Sequence, residues 1–530
     1  MAYNILISDK FDAEGVKKLQ EQKDFEVIYD KGYKREEFLK LLPKANGLII
    51  RSATRVDKEA IACAENLKLI IRAGVGVDNI DIPEASRKGI IVMNSPGGNS
   101  ISTAELAIAL MFGLARNIPQ SDASMKSGKW EKSKFLGVEL NNKTMGIVGL
   151  GRIGKEVAAR ARSLNMNVIG FDPFLPEETL KTLDIQIVSA EEILAQSDFL
   201  TVHTPLTETT KDFINKKNLP SLKDGIRLIN CARGGIYNED ALAEGLKSGK
   251  IAGVALDVLV QEPPPPEHPL LKFENCLLTP HLGASTGDAE FAVAMDTVNQ
   301  MVDFFTKGIA NFALNFPTLD PAAMKFLTPY ITGGEKAGKL LSNLCSGDFS
   351  KIEVRFNGEI SGSMTQPIMT AVIQGALSIS MGDEVNSVNA PYLAKDRGIE
   401  VSKSEHSKVG GYENSIQVIF KGKKGYDYEI SYSSIQGEPM IISIYKQPVE
   451  FRPEGILLVI ENKDVPKVVG AVGMFLGEHG INIARLELSR DSRGGNARCV
   501  LTVDDILGPE ALEQLRKMDH ILRAVQIDLR

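Results

Sequence analysis

The chain has 530 residues, 43% of them hydrophobic and 24% charged, with a formal net charge of -7. At roughly 100 to 200 residues per domain this length implies about three or four separate cores, which excludes both a single small globule and a disordered chain. The acidic balance, with no basic run interleaved with aromatics, argues against nucleic acid as a partner, and no stretch reaches the ~18 apolar residues that would place the chain in a membrane.

The N-terminus runs straight into a strand pattern with neither a basic nor an apolar leader, so no exporting or anchoring segment is expected. Cys63, Cys231, Cys276, Cys345 and Cys499 are widely separated, odd in number and without a CxxC pair or a histidine at metal-ligand spacing. That usage fits a reduced, cytoplasmic protein with no metal site.

In chain order, β-rich runs at Ile5–Ser8, Glu26–Tyr29, Gly47–Ile50, Leu67–Arg72 and Ile90–Met93 alternate with polar helical patterns. This predicts βαβ units on a parallel sheet, a first α/β lobe over residues 1–94. Ser102–Ile118 carries more than one apolar face and predicts a long, largely buried helix bridging two lobes. From Thr144–Leu150 the βα alternation resumes and continues to His281, a second lobe over 95–284. The helical pattern Thr286–Thr306 is expected to fold back and complete the first lobe with residues 285–316, and Asn315–Thr318 reads as a linker.

Beyond the linker, residues 318–450 predict an α+β block, with a helix at Ala337–Leu344 and strands at Lys351–Phe356 and Gln417–Phe420. The tail over 453–530 gives strand, helix (Val465–Glu478), two strands (Ile481–Leu488, Ala497–Val503), helix (Pro509–Lys517) and strand (Ala524–Leu529). That is the βαββαβ order of a ferredoxin-like unit suited to binding an effector. Each of these later blocks is expected to bury its own core.

Three glycines stand in Gly149-Leu-Gly151-Arg-Ile-Gly154, after a strand and before a helix. Gly149 permits the turn, Gly151 lets the backbone approach a pyrophosphate at the helix N-terminus, and Gly154 lets helix and strand pack closely. Asp172 ends the next strand about 20 residues on, where a carboxylate accepts from the ribose hydroxyls and repels a 2′-phosphate, so NAD rather than NADP is expected.

Oxidising an alcohol by hydride loss needs a base for the hydroxyl proton and a cation for the neighbouring carboxylate. Arg233 follows the strand Ile226–Ile229 and could pair bidentately with a carboxylate. Glu262 and His281 both follow strands, and a Glu-His pair would orient the imidazole as base. His203 is a rival base without an evident acidic partner, and is ranked second as a structural residue. Arg72-Ala-Gly74-Val75-Gly76-Val-Asp78 could form an anion nest from backbone N–H groups or be a plain turn. Arg51 and Arg72 are candidates for a substrate phosphate, with surface ion pairs as the alternative.

Arg72–Asp81, the glycine fingerprint, Asn230–Gly235, Ala255–Val258, Gln261–Pro263 and Pro280–Thr286 together resemble the signature set of the D-isomer-specific 2-hydroxyacid dehydrogenases. The resemblance spans Asn4 to Phe316. In its long members, which carry an intervening domain resembling an allosteric substrate-binding domain (here Val388–Ala394) and a C-terminal ACT domain, it extends over nearly the whole chain. It implies two Rossmann-like or flavodoxin-like lobes, with Arg233, Glu262 and His281 catalytic. It implies NAD contacts at Val75, Arg152, Ile153, Thr204, Cys231, Ala232, Arg233, Asp257, His281, Leu282, Gly283 and Ala284. Substrate contacts would fall at Arg51, Arg72, Gly74, Val75, Gly76 and Asn99.

The reaction implied is oxidation of 3-phospho-D-glycerate to 3-phosphohydroxypyruvate, the first step of L-serine biosynthesis, by a homodimer or homotetramer. Reduction of glyoxylate, hydroxypyruvate or 2-oxoglutarate is the alternative, and a dinucleotide-sensing, partner-binding module is the non-enzymatic one. L-serine is the implied effector, at Asp464 and Asn482. Two positions depart from the family pattern: Val75 stands where threonine is common, and Lys467 where a glycine commonly follows the proline.

Overall fold

The computed structural model describes residues 2–30, 32–317, 321–407, 411–423 and 425–530, so the last residue of the linker expected at 315–318 lies outside the described residues. Four sheets organise them. Strands β1 (Tyr3–Ile7), β2 (Phe25–Tyr29), β3 (Gly47–Ile50), β4 (Leu69–Arg72) and β5 (Ile91–Asn94) form a parallel sheet in the order β2-β1-β3-β4-β5. Leu48 to Ile50 and Leu69 to Ile71 are fully buried. This is why these strands are continuous aliphatic runs: helices cover both faces.

One of those helices comes from far along the chain. Gly287–Lys307 starts at Thr286, whose side chain accepts from the Ala289 N–H, and stops at Gly308 in the left-handed region. It packs Val293, Ala294, Val298 and Met301 against Ile5, Ile7 and Phe11, so the fold-back expected from the sequence is present.

The second sheet holds β6 (Thr144–Val148), β7 (Asn167–Phe171), β8 (Gln186–Ile187), β9 (Phe199–Val202), β10 (Ile226–Asn230), β11 (Ile251–Leu256) and β12 (Cys276–Leu278). All are parallel, in the order β12-β11-β10-β9-β6-β7-β8. The order reverses between β6 and β9, which opens a crevice at their carboxyl ends.

The bridging helix runs Ser100–Arg116 and ends where Asn117 adopts φ 51°; a second helix, Ile118–Lys126, then leaves at 64°. The helix expected over 102–118 is present, two residues earlier at each end, and the sequence reading did not foresee the second helix that follows it. The difference follows from Asn117, which tolerates the left-handed region, and from Pro119, which suits the first turn of a new helix. Among the described residues no single helix is long and apolar enough to cross a membrane. The bent pair reaches that length and composition only as two pieces, and Ala104, Ala107, Met111 and Leu114 of its first half are core residues.

A mixed sheet follows, with β13 (Lys351–Asn357), β14 (Glu400–His406), β15 (Ser415–Lys421), β16 (Asp427–Ile435), β17 (Glu438–Ile444) and β18 (Gln447–Phe451), in the order β14-β13-β15-β16-β17-β18. It carries the helices Pro321–Leu344 and Thr365–Met381, the first much longer than the expected Ala337–Leu344. The last sheet, β19 (Ile456–Lys463), β20 (Ile483–Arg490), β21 (Asn496–Val503) and β22 (Ile521–Asp528), is antiparallel in the order β20-β21-β19-β22, with helices after β19 and β21, as the ferredoxin-like reading requires.

The expectation that each later block buries its own core is corrected. Alternate residues of β19 serve two cores: Ile456, Leu458 and Ile460 face the helices of the last unit, while Leu457 and Val459, with Val500 and Ile527, join Leu340, Leu344 and Ile444 of the preceding one. Arg498, buried at the seam, donates to the Ile444 carbonyl at 2.8 Å and lies over the Tyr445 ring. The residues after the linker therefore form two sheets on a shared apolar layer, which a period-2 pattern cannot reveal because both faces of β19 are apolar.

Candidate active site

The fingerprint glycines are placed by sterics. Gly149 has φ 92°, and a Cβ there would lie 2.7 Å from the His203 carbonyl oxygen. A Cβ on Gly154 would lie 2.0 Å from the Gly149 carbonyl oxygen, so any side chain would push the helix Arg152–Ser163 off its strand. Gly151 faces open space and caps that helix without a side-chain bond, leaving the first-turn N–H groups free for an anion. A bound pyrophosphate fits this cradle. Nearby, the Thr204 hydroxyl and the Asn99 side-chain oxygen are buried without partners among the described residues, as expected of polar atoms that a ligand satisfies.

Asp172 directly follows β7, one residue past the strand end expected for it, and its carboxylate is already shared. It accepts from the Leu150 N–H at 2.7 Å, Phe174 at 2.8 Å and Leu175 at 2.9 Å. Two oxygens offer about four acceptor directions, so a ribose hydroxyl can still join. Asp172→Ala is expected to weaken NAD binding about tenfold and to narrow the preference over NADP, because it removes the acceptor, the repelling charge and the anchor of the fingerprint turn. Dissociation constants for both dinucleotides check this; unchanged selectivity would remove Asp172 from the site.

A cleft of about 430 Å³ lies between the two lobes and is lined by Val75, Gly76, Asp78, Asn99, Thr204, Cys231, Ala232, Arg233, His281, Gly283 and Ala284, among others. His281 Nδ1 faces Glu262 Oε2 at 2.7 Å, and the other Glu262 oxygen accepts from the Leu259 N–H at 3.0 Å. His281 sits at φ 55°, a conformation uncommon outside glycine. Its N–H donates to the Asp257 carbonyl at 2.9 Å, and the Asp257 carboxylate holds the next turn by accepting from Leu282 and Gly283 N–H at 2.7 and 2.8 Å. Asp257, almost fully buried, thus shapes the histidine loop, its carboxylate also accepting from the Thr279 hydroxyl at 2.6 Å, and it lines the cleft beside His281.

Arg233 comes from the loop after β10, whose backbone is fixed by Asn230: the amide donates to the Arg233 carbonyl at 2.8 Å and its oxygen accepts from the Ala232 N–H at 2.9 Å. Arg72 lies at the end of β4 with its Nε buried and, among the described residues, unpartnered. Burial, and next the Arg233 charge, push its guanidinium down to about 10, with Asp78 opposing. Arg51 is tied to Glu290 at 2.9 Å, and its backbone N–H to the buried Asp9. Arg51 and Gly74 border a small hollow beside the cleft, and Glu262 an apolar pocket behind His281. Gly74, at φ 147°, makes the turn after β4, its N–H donating to the Arg72 carbonyl at 2.8 Å. Burial pushes the Cys231 thiol up, which leaves it an inert wall.

The rival base is disfavoured. Among the described residues His203 bonds only Thr201 through its ring, at 3.0 Å, its Nδ1 is buried without a partner, and burial pushes it down to about 3. One residue was missed: Asp78, 155 positions from Arg233, accepts from its Nε at 3.0 Å. No local signal links residues so far apart.

In the last unit, Asp464 accepts from the Gly494 N–H at 2.9 Å and from Arg490 at 3.1 Å, and Asn482 donates to Asp504 at 2.9 Å. Lys467 has φ 76°, the region that glycine occupies without strain.

A dinucleotide cradle, a His-Glu pair and an arginine cluster around one interlobe cleft define a nicotinamide-dependent dehydrogenase acting on anionic hydroxy acids. Residues 108–283 match the family model for the D-isomer specific 2-hydroxyacid dehydrogenase NAD binding domain, 326–444 the D-3-phosphoglycerate dehydrogenase intervening domain, and 456–520 the ACT domain. The chain is 40% identical over 528 residues to a D-3-phosphoglycerate dehydrogenase of Archaeoglobus fulgidus, covering 99% of this chain and 100% of that one. It is 39% identical over 529 residues to that of Bacillus subtilis, with the same coverage. A solved glyoxylate reductase from Paecilomyes thermophila superposes with a TM-score of 0.54 at 31% identity, over 59% of this chain and 98% of its own. The chain belongs to the D-3-phosphoglycerate dehydrogenases, within the D-isomer specific 2-hydroxyacid dehydrogenase family. NAD is its cofactor.

Proposed function

We propose that the protein oxidises the C2 hydroxyl of 3-phospho-D-glycerate to 3-phosphohydroxypyruvate, opening the route to L-serine. The observation that carries this reading is the 2.7 Å His281–Glu262 pair at a cleft that Arg233 lines, with Arg72 under the influence of the Arg233 and Arg51 charges and Arg51 in the hollow beside the cleft, a match for a substrate with a phosphate, a carboxylate and one hydroxyl to deprotonate. NAD, when bound, supplies the ring that takes the C2 hydride.

With Nδ1 donating to Glu262, His281 presents Nε2 as the acceptor for the hydroxyl proton, and the carboxylate stabilises the imidazolium that results. Arg233 holds the substrate carboxylate and the C2 oxygen. The backbone N–H groups of Val75 and Gly76 complete the carboxylate site, with Arg51 and Arg72 for the phosphate. In reduction, His281 returns the proton. NADH absorbance during turnover of 3-phospho-D-glycerate, compared with glycolate, glycerate and 2-hydroxyglutarate, tests the assignment through kcat/KM.

The same reading places the enzyme in the cytoplasm, in keeping with five free cysteines, as a homodimer or homotetramer that light scattering resolves. It includes L-serine as an inhibitor at Asp464 and Asn482 of the last unit. Titrating serine is expected to inhibit the full chain but not a truncation ending at residue 316. Equal responses, or none, would remove serine from the account.

A further inference from the structure

We propose that Asp78 is a positioning residue for the reaction, setting the Arg233 guanidinium from across the cleft; this rests on the reaction proposed above. Arg233 belongs to the nucleotide lobe, in the loop after β10, and Asp78 to the substrate lobe, in the loop after β4. Arg233 Nε donates to Asp78 Oδ2 at 3.0 Å and Nη1 to the Ala232 carbonyl at 2.7 Å. The backbone being already held by Asn230, these two bonds remove the remaining freedom of the side chain.

A guanidinium has five N–H donors in a fixed plane, and here two are taken, leaving the Nη2 pair and one on Nη1 for a ligand. The guanidinium lies against Gly76, where a Cβ would fall 1.5 Å from Nη2. The free edge of Arg233 is thus presented at the anion nest of the opposite lobe. Only when the two lobes stand in this relation does the catalytic arginine have its orienting carboxylate.

Asp78 is also the larger of the two carboxylate influences on Arg72: it opposes the effect of Arg233 there, and Asp9 adds a smaller effect of the same sign. Its side chain is 78% exposed, so the bond is worth little to folding, and its substitution acts on the site rather than on stability. Two consequences follow with opposite signs. Loss of the carboxylate releases Arg233 and slows the chemical step. It also leaves the cluster one unit more positive, which favours capture of a polyanionic substrate.

Asp78→Asn is therefore expected to lower kcat about tenfold while KM for 3-phospho-D-glycerate stays level or falls, with NAD affinity and melting temperature unchanged. Asp78→Glu, which keeps the charge, recovers part of the loss. In an Arg233→Lys background, which lacks the Nε–H, Asp78→Asn adds less than about a twofold further change, because the partner it orients is gone. A kcat within twofold of wild type, a raised KM at unchanged kcat, or two losses that multiply would overturn the proposal. The cycle is run on an unphosphorylated 2-hydroxy acid as well. Preference for that acid would defeat the substrate assignment alone, since any member of the class carries the carboxylate that Arg233 meets.

Discussion

Replacing His281 with alanine is expected to lower kcat by about 10²- to 10⁴-fold with little change in NAD affinity, the usual contribution of a positioned base. The geometry confines the loss to the chemical step. His281 is held at φ 55° by a loop that Asp257 ties down through three backbone and carboxylate bonds, and that scaffold needs nothing from the imidazole. Glu262→Gln should give a smaller loss, because glutamine still accepts from Nδ1 but no longer carries the charge that favours the imidazolium. A near-normal rate in the alanine variant, read in single-turnover experiments, would move the base elsewhere, and His203 is poorly placed to replace it.

Arg72→Ala is expected to raise KM for 3-phospho-D-glycerate by about 10- to 100-fold, the worth of a charge-assisted hydrogen bond of about 1.5–3 kcal/mol, and to leave KM for an unphosphorylated hydroxy acid nearly unchanged. Arg72 is the best placed of the phosphate candidates: it is largely buried, its Nε lacks a partner, and it has no ion pair within the described residues to give up. Arg51 should show a weaker effect of the same kind, since Glu290 already holds it. Steady-state kinetics on both substrates check this, and equal losses would assign the arginine to the carboxylate instead.

Much of the site was legible because its determinants are local. Gly149, Gly151 and Gly154 declare a strand-turn-helix through their spacing, and the helix 287–307 was foreseeable from the helical pattern after Thr286. Roles for Arg233, Glu262 and His281 came from their places after strands and the needs of hydride transfer, and the family resemblance implied the same three residues. The misses are all non-local. Asp78 meets Arg233 only after both lobes fold, Asp257 commits its carboxylate to a loop 25 residues away, and Asp172 accepts from the N–H of Leu150, 22 positions before it. The joint core of the last two sheets was hidden for the same reason. An apolar run along one strand cannot say which neighbour each face meets; here Leu457 turns to one core and Leu458 to the other.

The central claim is tested most directly by following NADH absorbance as the purified full chain meets NAD and 3-phospho-D-glycerate. NADH is expected to form with kcat/KM well above that for glycolate, glycerate or 2-hydroxyglutarate, and the activity to be lost in His281→Ala. Turnover of an unphosphorylated acid at equal or greater kcat/KM, or none with any 2-hydroxy acid, would contradict it.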